Sequence, residues 1–146
     1  MQAQILRPKA THLLKLEAGE PLLESIIAYA AQHQITAGRV SAIGALAVAR
    51  LSFFDRQTKT YQENVFKEVE LVSCLGNIGI KSTTKETMVH LHASVSDKKG
   101  HMYGGHLNKA SIVSVTLEIM IESYTPAIHR TWEPAIELCL ITPATQ

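Results

Sequence analysis

His90 and His92 stand two positions apart, and a third histidine follows fourteen residues later in Gly104-Gly105-His106. In a β-strand, residues i and i+2 look to the same side of the sheet. The first pair therefore presents two imidazoles on one face, and the third lies beyond a short turn. Imidazole nitrogens are ligands for divalent transition metals, and three that converge make a metal centre. The alternative is three surface or core-rim histidines that bind nothing.

The turn bears on both readings. Residues 96 to 101 read Ser-Asp-Lys-Lys-Gly-His. A three-residue hairpin loop of Lys98, Lys99 and Gly100, with Gly100 in the left-handed conformation, is a preferred connection. It closes on Asp97 and His101, so that His92 lies opposite His106 and Ser94 opposite Gly104. Facing residues have Cβ atoms about 5 Å apart, and His90 is about 6.6 Å along the strand from His92. All three imidazoles then come within reach of one ion, and Gly104, having no side chain, leaves space beside it. A loop one residue shorter or longer sends His106 to the other face, and a bulge at Gly104-Gly105 could shift the register as well.

An all-nitrogen set of three suits Zn²⁺ best, with Ni²⁺, Fe²⁺ or Cu²⁺ accommodated in a suitable geometry. Three protein ligands leave a position for water, a substrate or a carboxylate, whereas a closed structural zinc has four, often with cysteine. Glu118 is a candidate fourth ligand, outer partner or general base, or else a solvated or interface carboxylate. Ser94 sits on the histidine face. His12, His33, His101 and His129 have no partner at ligand spacing and read as surface or hydrogen-bonded residues.

Several elements must position these side chains. Residues 12 to 18 alternate loosely as a strand ending at Gly19. A helix over residues 21 to 33 follows from Pro21 at its start and from Leu22, Leu23, Ile26, Ile27, Ala30 and Ala31 at helical spacing. From Gly38 on, β-branched runs predict strands at 39–54, 60–65, 67–79, 86–97, 101–107, 111–123 and 136–142. In 88–95, Val89, Leu91, Ala93 and Val95 form an apolar face, and Met88, His90, His92 and Ser94 look away from it. In 111–121, Val113, Val115, Leu117, Ile119 and Ile121 share one face, with Ser114, Thr116, Glu118 and Met120 on the other. One early helix followed by successive strands predicts an α+β fold with a largely antiparallel sheet.

The chain has 146 residues, 46% of them hydrophobic, which suits one domain, with its core over about residues 12 to 142. Lys and Arg number 14 against 13 Asp and Glu, a formal charge of +1 that lacks the basic excess of nucleic-acid binders. Cys74 and Cys139 form no CxxC or other framework and read as buried, reduced thiols. No secretory signal is visible, and the longest apolar stretch, between Arg39 and Arg50, is too short to span a bilayer. A soluble, cytoplasmic protein with no membrane partner is expected.

Five stretches taken in order resemble one family: GRVSAIGA at 38–45, ELVSCLGNI at 70–78, HLHASVSD at 90–97, GGHL at 104–107 and TLE at 116–118. Together they are similar to the plants and prokaryotes conserved (PPC) domain, from about Leu13 to Leu140. The resemblance implies an α+β domain that assembles as a homotrimer. It also implies a metal ion held by His90, His92 and His106. Plant members carry the domain behind an AT-hook and are DNA-associated, but this chain has no Arg-Gly-Arg-Pro element and no basic tail. Its segment 129–134 is also less typical of the family.

Three functions compete on these grounds. The first is a trimeric metal-binding domain whose open site takes a small ligand or performs a metal-assisted reaction. The second is a DNA-associated regulator, with Arg39, Arg50, Lys98 and Lys99 as the cations a trimer could gather. The third, a small cupin, fits poorly, since Asp97 stands where Glu is expected and no second metal motif follows. Ser94, Ser96 and Asp97 beside the histidines make a weak case for a nucleophile and its partner.

Overall fold

The computed structural model describes residues 1–143 and contains one helix among eight strands. In chain order these are β1 (Arg7–Glu17), α1 (Leu22–Gln32), β2 (Gly38–Asp55), β3 (Thr60–Lys81), β4 (Thr87–Ser96), β5 (Met102–Leu107), β6 (Ile112–Thr125), β7 (His129–Glu133) and β8 (Leu138–Ile141). The strands form one sheet in the order β1-β6-β2-β5-β4-β3-β7-β8, and β2 also pairs with β3. That second pairing closes β2, β3, β4 and β5 into a ring. Every pairing is antiparallel except β3 with β7. The α+β, largely antiparallel architecture matches the sequence expectation.

Helix α1 is where its apolar spacing puts it. Leu22, Leu23, Ile26 and Ala30 are buried, and they join Leu91, Val95, Leu117 and Ile119 in the core. Burying each large side chain is worth roughly 1.5–3 kcal/mol. Pro21 precedes the helix in extended conformation and gives no side-chain cap. The first turn is instead satisfied from the start of β6: the Leu22 N–H donates to the Ser111 carbonyl (2.9 Å), and Glu24 accepts from the Ala110 N–H (2.9 Å).

Four features depart from the sequence reading, each for a local reason. β1 begins at Arg7 rather than residue 12, because its ladder with β6 runs out to Thr125 whatever the apolar content. The expected strands 60–65 and 67–79 are one strand, and pairing with β2 continues on both sides of Glu68, which takes φ +51°. Val115 is not on the buried face but 66% exposed. Gly44 pairs with Leu117 and Leu46 with Val113, so four residues of β6 span two of β2 and Val115 is extruded as a bulge. Strand β7 has no apolar alternation to announce it and is held by β3 on one side and β8 on the other.

Candidate metal centre

On β4 the alternation is as the sequence implies. Leu91, Ala93 and Val95 are buried, while His90 and Ser94 are half-buried and His92 is exposed on the outer face. The following turn has the expected form. Gly100 has φ +80°, its N–H donates to the Asp97 carbonyl (2.9 Å), and the Asp97 N–H donates to the His101 carbonyl (3.1 Å). Asp97 Oδ1 also accepts from the backbone of Lys99 and His101, at 2.8 and 3.0 Å. The ladder that grows from this loop pairs Ser96 with Met102, Ser94 with Gly104 and His92 with His106.

The three imidazoles converge. Ring centroids are 5.0 Å apart for His90 and His92, 5.1 Å for His90 and His106, and 5.6 Å for His92 and His106. One ring nitrogen from each lies within 4.8 Å of the others. Nitrogens around a tetrahedral zinc are about 3.3 Å apart, from bonds of about 2.05 Å. Small side-chain rotations close the difference.

Close backbone packing fixes these positions. Gly76 faces Leu91, and a Cβ there would run into the His90 carbonyl and sit 2.8 Å from Leu91 Cδ2. Gly105 packs against β2, where a Cβ would lie 2.8 Å from the Ser52 carbonyl oxygen. Gly104 is less confined, with Ala93 O at 3.2 Å and Ser94 Oγ at 3.7 Å from the same imagined atom. In the Gly-Gly-His run, the second glycine is therefore the tighter requirement.

Electrostatics favour neutral imidazoles. Burial, then the Arg130 guanidinium and the other two histidines, push His90 down to about 4. Burial, His92 and Arg130 lower His106 as well. A neutral imidazole keeps its lone pair for a metal at neutral pH. In addition, His106 Nδ1 is buried without a hydrogen-bond partner. A buried, unpartnered ring nitrogen on one histidine of the cluster fits a cation nearby, since buried polar atoms are otherwise paired.

Glu118 is elsewhere. It is exposed on β6, paired with Lys15 of β1 and Ile43 of β2, and two strands separate β6 from β4. It lines a shallow depression with Leu13, Ile43, Leu75 and Met120, and takes no part in the histidine cluster of its own chain. Among the other histidines, His101 Nδ1 faces Asp97 Oδ2 at 3.1 Å and His12 Nδ1 faces the Tyr29 hydroxyl at 3.1 Å. Cys74 is buried and its thiol is pushed up to about 12, whereas Cys139 is only half-buried. Both cysteines are free.

Three residues flank the cluster; Asn77 belongs to the run at 70–78, whereas Tyr61 and Arg130 carried no motif signal. The Tyr61 ring lies 5.1 Å from that of His106. Asn77 stands directly opposite His90 on β3. Arg130 on β7 is 6% exposed and donates through Nη2 to Asn77 Oδ1 at 2.7 Å. The pairing also draws an unbroken row across the outer face, from Leu13 through Met120, Ser41 and Leu75 to His92 and His106.

A family model described as the Plants and Prokaryotes Conserved (PCC) domain matches residues 4–125. The bifunctional protein GlmU of Synechococcus sp. (strain JA-3-3Ab) is 32% identical over 124 residues, covering 84% of this chain and 18% of that protein. This chain thus spans less than a fifth of the curated relatives it matches. A plant- and prokaryote-conserved (PPC) protein of Pyrococcus horikoshii superposes with a TM-score of 0.88 at 26% identity, over 100% of both chains. A metal-containing protein of Archaeoglobus fulgidus superposes with a TM-score of 0.87 at 25% identity, over 97% of this chain and 99% of the other.

Proposed function

Since the chain belongs to the Plants and Prokaryotes Conserved domain family, we propose that it is a homotrimeric metal-binding domain of the cytoplasm. His90, His92 and His106 hold a divalent transition metal, zinc foremost, and leave a coordination position open to a small ligand. The observation that carries this reading is the convergence of three ring nitrogens, one from each histidine, on a cluster in which His106 also has a buried Nδ1 with no hydrogen-bond partner. The metal-containing relative from Archaeoglobus fulgidus supports it. Two unbridged cysteines suit a reducing compartment.

An ion held this way supplies Lewis-acid polarisation or an acidified water. The chain's own residues set the conditions for it. β4 and β5 orient the imidazoles, burial keeps His90 and His106 unprotonated, and Tyr61 packs beside His106. Assembly is supported by the outer row, in which Leu13, Leu75 and Met120 are 73%, 51% and 40% exposed. An exposed, largely apolar face of this kind marks an interaction surface. In a trimer, a neighbouring subunit on this face abuts His92 and walls the site.

The DNA-associated reading finds less support. Of the four cations it could draw on, Arg39 lies 3.7 Å from Glu122 and Arg50 2.7 Å from Glu63, leaving Lys98 and Lys99 on the exposed turn. Elemental analysis of protein purified without a metal-affinity tag tests the metal reading. One ion per chain, lost in His92→Ala, is expected; metal far below stoichiometry in the parent overturns it.

A further inference from the structure

Resting on the three-histidine reading, we infer that the small ligand of this centre is an organic carboxylate, and that Arg130 is the residue that selects it. Arg130 has the burial of a core residue, at 6% exposure, yet carries a permanent charge. Buried charges are ordinarily paired with an opposite charge or occupied by a ligand. Among the described residues no carboxylate forms an ion pair with this one. Its protein partners are neutral: Nη1 donates to the Cys139 carbonyl at 3.0 Å and Nη2 to Asn77 Oδ1 at 2.7 Å, while Nε is buried with no partner.

Placement gives this unpaired cation its meaning. Asn77 holds the guanidinium and stands directly opposite His90 in the β3–β4 ladder. A divalent ion on three uncharged imidazoles, beside a guanidinium and with no acid in the cluster, leaves positive charge unbalanced. A monocarboxylate answers both deficits, with an oxygen for the ion and an oxygen for the free N–H groups of a planar donor. A phosphate gathers several cations, whereas the hydrogen bond through Asn77 brings a single guanidinium, that of Arg130, to the strand position facing His90. The side chain comes from β7, past the family-matched residues 4–125.

Cobalt-loaded protein tests this, because the visible bands of Co²⁺ respond to a change of ligand without any assumption about activity. Titration with lactate and acetate is expected to shift the bands saturably, while lactamide and acetamide, neutral and of the same shape, do not. In Arg130→Met the carboxylate affinity falls about tenfold or more, the range of a charge-assisted hydrogen bond, and Co²⁺ affinity by chelator competition changes less than about threefold. Arg130→Lys, which keeps the charge and loses the fork, is intermediate and decides the matter should Arg130→Met fail to fold. Equal affinity for lactate and lactamide, or for lactate in the parent and the lysine variant, overturns the inference and leaves the metal site standing. Failure of the parent to bind Co²⁺ overturns both.

Discussion

His92 and His106 are a direct cross-strand pair on β4 and β5, their rings 5.6 Å apart and nearly perpendicular at 89°. This pairing makes the metal centre a property of a hairpin register rather than of any one loop. The register is fixed by the Lys98-Lys99-Gly100 turn and by the hydrogen bonds that Asp97 gathers across it.

A glycine inserted between Lys98 and Lys99 is expected to abolish metal binding with every ligand still in the chain. A slip of one residue turns His106 to the opposite face. Equilibrium dialysis against zinc should show at least about a hundredfold weaker binding, comparable to His106→Ala and beyond the losses that outer-partner changes cause. Retention of parental affinity means that the ladder can re-form around the longer loop.

Gly105 gives a second check that involves no ligand atom. Gly105→Ala puts a methyl group 2.8 Å from the Ser52 carbonyl oxygen, where backbone must yield on both β2 and β5. The cost is about 1–3 kcal/mol, read as a lower denaturation midpoint, with weaker metal binding because His106 is the next residue. Gly104→Ala, with its nearest neighbour at 3.2 Å, is expected to be milder on both measures.

The sequence was most legible where chemistry follows a short period. The alternation of β4 and the chemistry of the three-residue loop together yield the facing of His92 and His106. The apolar spacing from Leu22 to Ala30 places α1 in the same way. Legibility failed where tertiary pairing overrode the local pattern. Val115 continues a perfect alternation, yet the β2–β6 ladder extrudes it. Arg130 and Tyr61 sit in segments with no motif, and only long-range pairing brings them beside His90 and His106. Glu118 shares the outer face with the histidines but is two strands away, a separation no single-strand pattern reveals.

Stability of the metal-free protein should depend on acid in a defined direction. His90 is held at about 4 against an ordinary 6.5. Above 6.5 neither the folded nor the unfolded chain carries the proton, and the full stability is present. As pH falls from 6.5 toward 4 the unfolded chain takes up a proton that the folded one refuses, so stability declines through this window and then levels. Urea midpoints of apo protein in pH steps should show this slope, and His90→Gln should reduce it, leaving the part that His106 contributes. A slope unchanged by that substitution assigns the loss to other groups.

For nucleic acid, Arg39 and Arg50 are each paired with a glutamate, and the formal charge of the chain is only +1. Gel-shift titration with duplex DNA is expected to give no complex at about 150 mM salt and a shallow salt slope below it, since the slope counts the phosphates neutralised. A steep slope with tight binding at that salt would restore the DNA-associated function.

The apolar row that runs into His92 ties assembly to the site. Leu75 is 51% exposed, faces His92 across β3 and β4, and contributes nothing to the core of its own chain. Leu75→Glu should leave the isolated fold nearly as stable, because surface changes away from packing usually stay within about 0.5 kcal/mol. A trimer, in contrast, must desolvate the new charge against an apolar neighbour, which costs several kcal/mol unless it is paired. Sedimentation equilibrium should therefore show the parent at three times the chain mass and the variant at one, with unchanged far-ultraviolet circular dichroism. A variant that stays trimeric places the subunit interface on another face of the domain, and a monomeric parent removes the trimer altogether.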